Sequence, residues 1–169
     1  MMKTTSIRPM TVLLCAMTLL LALASPGAAD DYEAMKDVSA VDTIFDFRDG
    51  IPQPALIHLK LIHDTYNDPV IRAASEKPAF VVVFMASSVK LLSKNRDGFT
   101  AEEKKMLEEF DQVLAAMAKE GIRLEICMFA GNVMGVDPAS LPDVLVHVPN
   151  GWISAIGYQK RGYALVPVY

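Results

Sequence analysis

The sequence is poor in the residues from which disulfide scaffolds, metal centres and nucleic-acid binders are built. Its 169 residues contain two cysteines, three histidines and one tryptophan. Two cysteines cannot form a disulfide framework, and a chain of this length buries enough core to fold without one. Bases are outnumbered by acids, 16 against 20, so the basic footprint of a nucleic-acid partner is missing. His58 and His63 stand five apart, off the four-residue spacing that puts a metal pair on one helical face, and no metal site is expected. No Walker loop, dinucleotide-binding glycine fingerprint or G-x-S-x-G elbow occurs, and no cofactor is expected.

What is present is an ordinary globular composition, 52% hydrophobic and 21% charged, which suits one domain. The first residues stand apart from it. Lys3 and Arg8 precede an apolar run from Thr11 to Ala24, followed by Ser25, Pro26 and small residues to Ala29. That succession is expected to be a cleaved export signal at 1–29, delivering a periplasmic or secreted protein that keeps no membrane contact. Residues 30–40 read as a polar lead-in and 41–169 as a single α/β domain. Cleavage after Ala29 discards Cys15 and leaves Cys127 as the one cysteine of the mature chain.

Within the domain, strand signals alternate with helix signals. VDTIFDFRDG at 41–50 reads as a strand ending in a turn, and Pro52 and Pro54 suit the first turn of a helix carrying Leu56, Leu59, Ile62 and Tyr66 on one face. FVVVFM at 80–85 is a continuous apolar run, as a strand covered on both sides requires. Ala86-Ser87-Ser88 opens a short helix. Thr100 and Glu103 form a capping box ahead of Leu107, Phe110, Leu114 and Met117, and Gly121 stops that helix. Further strands are expected at Arg123–Cys127, Leu145–Val148 and Ala164–Val168, with a helix opening at Asn150-Gly151. This is the pattern of right-handed βαβ units in a mainly parallel sheet of about five strands. Neither the strand order nor the direction of the last strand is legible.

Ligand crevices in open α/β sheets lie beyond the carboxyl ends of the strands. Arg48, Asp49 and Gly50 lie there, as do Ser87 and Ser88, the stretch Cys127 to Asn132, and Asn150 with Trp152. Cys127 is the one strong nucleophile among them. At the end of a strand, beside the amides that open a helix, it would meet a partial positive charge; the apolar run Ile126-Cys127-Met128-Phe129 equally suits a packed thiol. Two readings of Cys127 therefore stand. His147 could act as its base if their strands are neighbours, or be a core histidine. Ser87 and Ser88 could bind an anion or cap a helix. Gly131 and Asn132 could let a ligand approach the backbone or form an ordinary turn. Asn150 and Trp152 could line the crevice, or Trp152 could pack.

Three stretches, VDTIFDFRDG at 41–50, GIRLEICMFAGNVMGVDP at 121–138 and HVPNGWISAIGYQKRGYALVPVY at 147–169, give the chain a resemblance to the DsrE-like family, particularly its exported branch. The resemblance implies a three-layer α/β/α fold and assembly into homotrimers or hexamers. In the sulfur-relay members a strand ends in a cysteine that carries persulfide sulfur, and Ile126-Cys127 followed by small residues is similar to it. Cys127 is thus implied as a sulfur carrier that exchanges with a donor or acceptor protein. The alternative is a homo-oligomeric module that binds a small ligand without covalent chemistry. Mass spectrometry of protein recovered from its native compartment is expected to find Asp30 or a near neighbour as the first residue. An intact Met1 on membrane-embedded material would exclude the cleaved signal.

Overall fold

The computed structural model describes residues 32–169, so the expected export signal at 1–29 lies outside the described residues. The lead-in contributes a single helical turn, Glu33–Met35. The domain then alternates strand and helix: β1 (Asp42–Phe47), α1 (Pro52–Asn67), α2 (Pro69–Ala74), β2 (Ala79–Phe84), a 3-10 turn (Ala86–Leu92), α3 (Ala101–Lys119), β3 (Arg123–Cys127), α4 (Met128–Met134), β4 (Val146–Val148), α5 (Gly151–Lys160) and β5 (Ala164–Val168).

The strands form one five-stranded sheet in the order β4-β3-β2-β1-β5, with every pairing parallel. β5 therefore runs with the others. The order has a physical consequence. Three successive steps move across the sheet in one direction, whereas the step from β4 to β5 returns to the opposite edge. Right-handed crossovers that move in opposite directions place their helices on opposite faces. α1 and α3 consequently share one face, and α5 lies on the other, against β1, β2, β3 and β5.

The alternation of side chains along the strands divides the core between these faces. Phe45, Phe47, Phe80, Phe84, Leu124 and Ile126 point toward α1 and α3, where Tyr66 meets Phe80 edge-on and Phe110 meets both Phe47 and Phe84. Leu107, Phe110, Leu114 and Met117 are buried as one stripe of α3, each contributing about 1.5–3 kcal/mol of transfer free energy. The capping box forms: Thr100 Oγ1 accepts from the Glu103 N–H, and the Thr100 N–H donates to the Glu103 carboxylate.

The α5 face is thinner and more polar. It carries Ile44, Val81 and Val83, but also Asp46 and Glu125, both buried. A ten-residue helix is about 15 Å long, while four strand spacings come to about 19 Å, so one helix does not blanket this side. Leu165 on β5 stays 42% exposed. Among the described residues, no helix is long and apolar enough to cross a membrane.

Candidate functional site

Cys127 ends β3 and is also the residue from which α4 springs. Its parity with Arg123 and Glu125 turns its side chain to the α5 face. There the N–H of Gly151, the first residue of α5, donates to Cys127 Sγ at 3.2 Å. The helix amide that reaches the sulfur thus belongs to α5 and not to α4, which begins at the next residue. An amide at the opening of a helix is the kind of donor that holds negative charge on sulfur better than apolar surroundings do.

The approach of α5 is close. A Cβ built on Gly151 would stand 2.7 Å from Met85 Sδ and 3.1 Å from Cys127 Cβ, so any other residue would have to push the Met85 side chain aside for this helix start to sit flush against the ends of β2 and β3. The thiol that results is buried, at 5% exposure. Asn150 supports the arrangement as the cap of α5, its Oδ1 accepting from the Trp152 N–H at 2.9 Å. Phe129 N–H donates to the Pro149 carbonyl at 3.1 Å, which brings the starts of α4 and α5 side by side above the sulfur.

The remaining candidate residues fall in different places. His147 pairs with Ile126, one position out of step with Cys127, so it points to the opposite face of the sheet and is not assembled with the thiol. Ser88 is fully buried and donates to the carbonyls of Phe47 and Met85, and Ser87 donates to the Arg48 carbonyl. Both hydroxyls stitch the loop after β2 to the end of β1, an approach so close that a Cβ on Gly50 would meet Ser87 Cβ at 2.4 Å. The Gly131 carbonyl closes α4 by accepting from Val136 N–H at 2.9 Å, and Asn132 is exposed beside it. Trp152 does not pack; it is 64% exposed.

Sequence reasoning missed Glu125 and Met85. Glu125 is 2% exposed, and its Oε1 accepts from Arg123 Nε at 2.6 Å and from Tyr158 OH at 2.8 Å, while Oε2 has no partner. The available signal was its parity: in RLEIC the glutamate falls on the same side as Cys127, between two apolar residues of the other face. Cys127 and Glu125 are thus neighbours along one strand and one face. The sulfur end of the sheet adjoins an acid–phenol–guanidinium cluster in which only the acid is buried. Among the described residues no group of three or more His, Cys, Asp or Glu converges on a metal-sized site. A cleft of about 850 Å³ lies elsewhere, along β5 and α1.

The comparisons agree with this fold. The profile of the DsrE/DsrF-like family matches residues 57–168, and the chain belongs to that family. No curated protein matches it. Among solved structures, the protein of unknown function MTH1491 from Methanobacterium thermoautotrophicum is similar at 15% identity and a TM-score of 0.58, over 75% of this chain and 98% of that one. The ychN protein from E. coli is similar at 14% identity and a TM-score of 0.50, over 77% and 99%. At these identities the likeness is one of fold.

Burial raises the pKa of the Tyr158 phenol, and its hydrogen bond to Glu125 raises it further. A phenol whose folded value exceeds its unfolded one keeps its proton longer in the native state. Its contribution is therefore full below pH about 10, its ordinary value, and is lost as pH rises through the folded value. Tyr158→Phe is expected to cost about 1–2 kcal/mol at neutral pH and to flatten the fall in urea midpoint between pH 9 and 11. An unchanged alkaline slope in the variant would exclude this assignment.

Proposed function

We propose that the protein is an exported sulfur carrier in which Cys127 accepts sulfane sulfur as a persulfide and passes it to an acceptor. The observation that carries the reading is the Gly151 N–H on Cys127 Sγ at the opening of α5, together with membership of the DsrE/DsrF-like family. The donor group suits each sulfur species of the cycle, since thiolate and persulfide both present electron density to an N–H. In the loading step the Cys127 thiolate bonds to a sulfane sulfur of a polysulfide. The donor's own S–S bond breaks, and its remaining sulfur leaves as a thiolate with the electron pair, so no external oxidant is consumed. Unloading reverses these roles with an acceptor thiolate.

Export is supported by the basic, apolar and small-residue succession at 1–29. Assembly into a homotrimer or hexamer is part of the same reading. Phe129 and Val133 on α4 and Trp152, Ile153 and Ile156 on α5 are all more than half exposed, and the two helices meet at their starts through the Phe129–Pro149 hydrogen bond. Exposed apolar side chains of this size are what an assembly interface would cover. Light scattering at low micromolar concentration is expected to return a multiple of the chain mass, reduced to a monomer by Trp152→Asp with Ile153→Asp. A monomeric parent protein would remove the assembly.

A second reading, a non-covalent binding module with Cys127 packed, draws on the 5% exposure of the thiol. Intact-mass measurement separates the two. Incubation of the chain from Asp30 with polysulfide is expected to add about 32 Da, the mass of one sulfur, removable by reductant and absent from Cys127→Ser. Gly151→Ala, which crowds Met85 and the Cys127 Cβ, is expected to slow the addition several-fold. No adduct on the native protein, or an equal adduct on the serine variant, favours the binding module.

A further inference from the structure

The return of the chain from β4 to the far edge leaves β5 beyond the reach of α1, and a cleft opens there. On the face shared by α1 and α3, β5 presents Ala164 and Val166 with no helix above them; Val166 is 39% exposed, and Leu61 on the facing side of α1 is 60% exposed. The lead-in supplies the second wall through Val38. Phe80 and Ile62, both buried in the core, form the floor. The volume enclosed is about 850 Å³, inside the range of about 300–1,000 Å³ found for small-molecule sites.

The lining is mainly apolar, with Asp42, Thr43 and Thr65 toward the end where β1 begins and a single imidazole toward the end where β1 finishes. His58 stands there, with its Nδ1 3.1 Å from Asp49 Oδ2, close enough for an ion pair but out of line for a hydrogen bond, so that this buried nitrogen has no hydrogen-bond partner. Asp49 is held in place by the Ile51 N–H, which donates to its other oxygen at 3.0 Å. The shape and the polarity together describe the occupant. Five residues of extended strand run about 16 Å, the length of a single extended chain, and the one imidazole sits where that chain would end. A peptide adding to the sheet is a poor alternative. Alternate residues of β5 turn their backbone groups to opposite sides, and Val168 accepts from Arg48 on the β1 side. Leu165 and Pro167 therefore face the open edge, and Pro167 has no N–H to offer there.

We propose that this cleft binds a small single-chain amphiphile, its apolar tail lying along β5 between α1 and the lead-in and its oxygen-bearing head group hydrogen-bonded to His58. The site is separate from Cys127 and does not depend on its chemistry. The test uses protein recovered from cells expressing the full chain, titrated calorimetrically with dodecanoate and with dodecanol below their aggregation limits, with native mass spectrometry for stoichiometry. Saturable binding of one molecule per chain is expected. Val166→Arg should weaken it at least tenfold, and His58→Ala should weaken it at least threefold. Val144→Arg, at the opposite edge of the sheet and equally exposed in the parent, should leave it unchanged. Melting curves confirm that each variant folds. Tighter binding of dodecanoate would identify the head group as a carboxylate, and tighter binding of dodecanol as a hydroxyl. Absence of saturable binding by both probes, or equal affinity in Val166→Arg, overturns the proposal. A change of oligomeric mass in Val166→Arg without amphiphile binding to the parent also overturns it and assigns the cleft to a second copy of the chain.

Discussion

The handedness of parallel crossovers governs the rest of this structure. Once β1, β2, β3 and β4 are laid down in one direction with helices on one face, a fifth strand on the far side of β1 can be reached only by a helix on the opposite face. α5 is that helix, and it is alone. Its start must meet the carboxyl ends of β2 and β3, which puts the Gly151 amide on Cys127 Sγ. Its length is too short to cover the sheet, and its outward side chains Trp152, Ile153 and Ile156 remain in solvent. On the other face, β5 extends past α1 and leaves the cleft beside Val166. The sulfur site, the apolar surface above it and the cleft all follow from the reversal of direction after β4.

The polar belt between the sheet and α5 answers a related problem. Asp46 on β1 and Glu125 on β3 lie on either side of Val83, in register across three strands, and neither carboxylate can be buried without partners. Each is met by an arginine two residues away in sequence: Arg48, just past the end of β1, reaches both oxygens of Asp46 at 2.9 Å, and Arg123 on β3 reaches Glu125. An i, i+2 pair along extended chain shares one face, so one short segment supplies both charge and counter-charge. The Tyr158 hydroxyl adds a further donor to Glu125 from α5. Such pairs offset their own desolvation more than they add net stability. Only the Tyr158 bond to Glu125 reaches α5, and it ties that helix to the face by a directional contact.

Two distinct environments therefore coexist in one small domain. Cys127 sits at the end of β3 in a tight, glycine-dependent contact, with an amide donor and a buried acid one step along the strand. The cleft runs along β5, mainly apolar and open, with His58 toward one end. In an open α/β sheet both positions follow from topology: strand ends gather loops and helix starts, and an uncovered edge strand exposes the apolar side of the sheet.

Much of this was legible in the chain itself. The periodicities of Leu56–Tyr66 and Leu107–Met117, the run at 80–85, and the Thr100–Glu103 cap specify elements through contacts a few residues apart, and the structure contains them. That Cys127 ends a strand was legible for the same reason. The direction of β5, the placement of His147 on the far face from Cys127, and the use of Ser87 and Ser88 as loop ties were not. Each depends on which strand lies beside which, and on a register in which one residue's slip exchanges the two faces. Local sequence thus determined the strands, the helices and the presence of a cysteine at a strand end. Only the tertiary structure decided that Gly151, twenty-four residues further on, would donate to its sulfur, because that contact rests on long-range pairing and crossover handedness that no local pattern encodes.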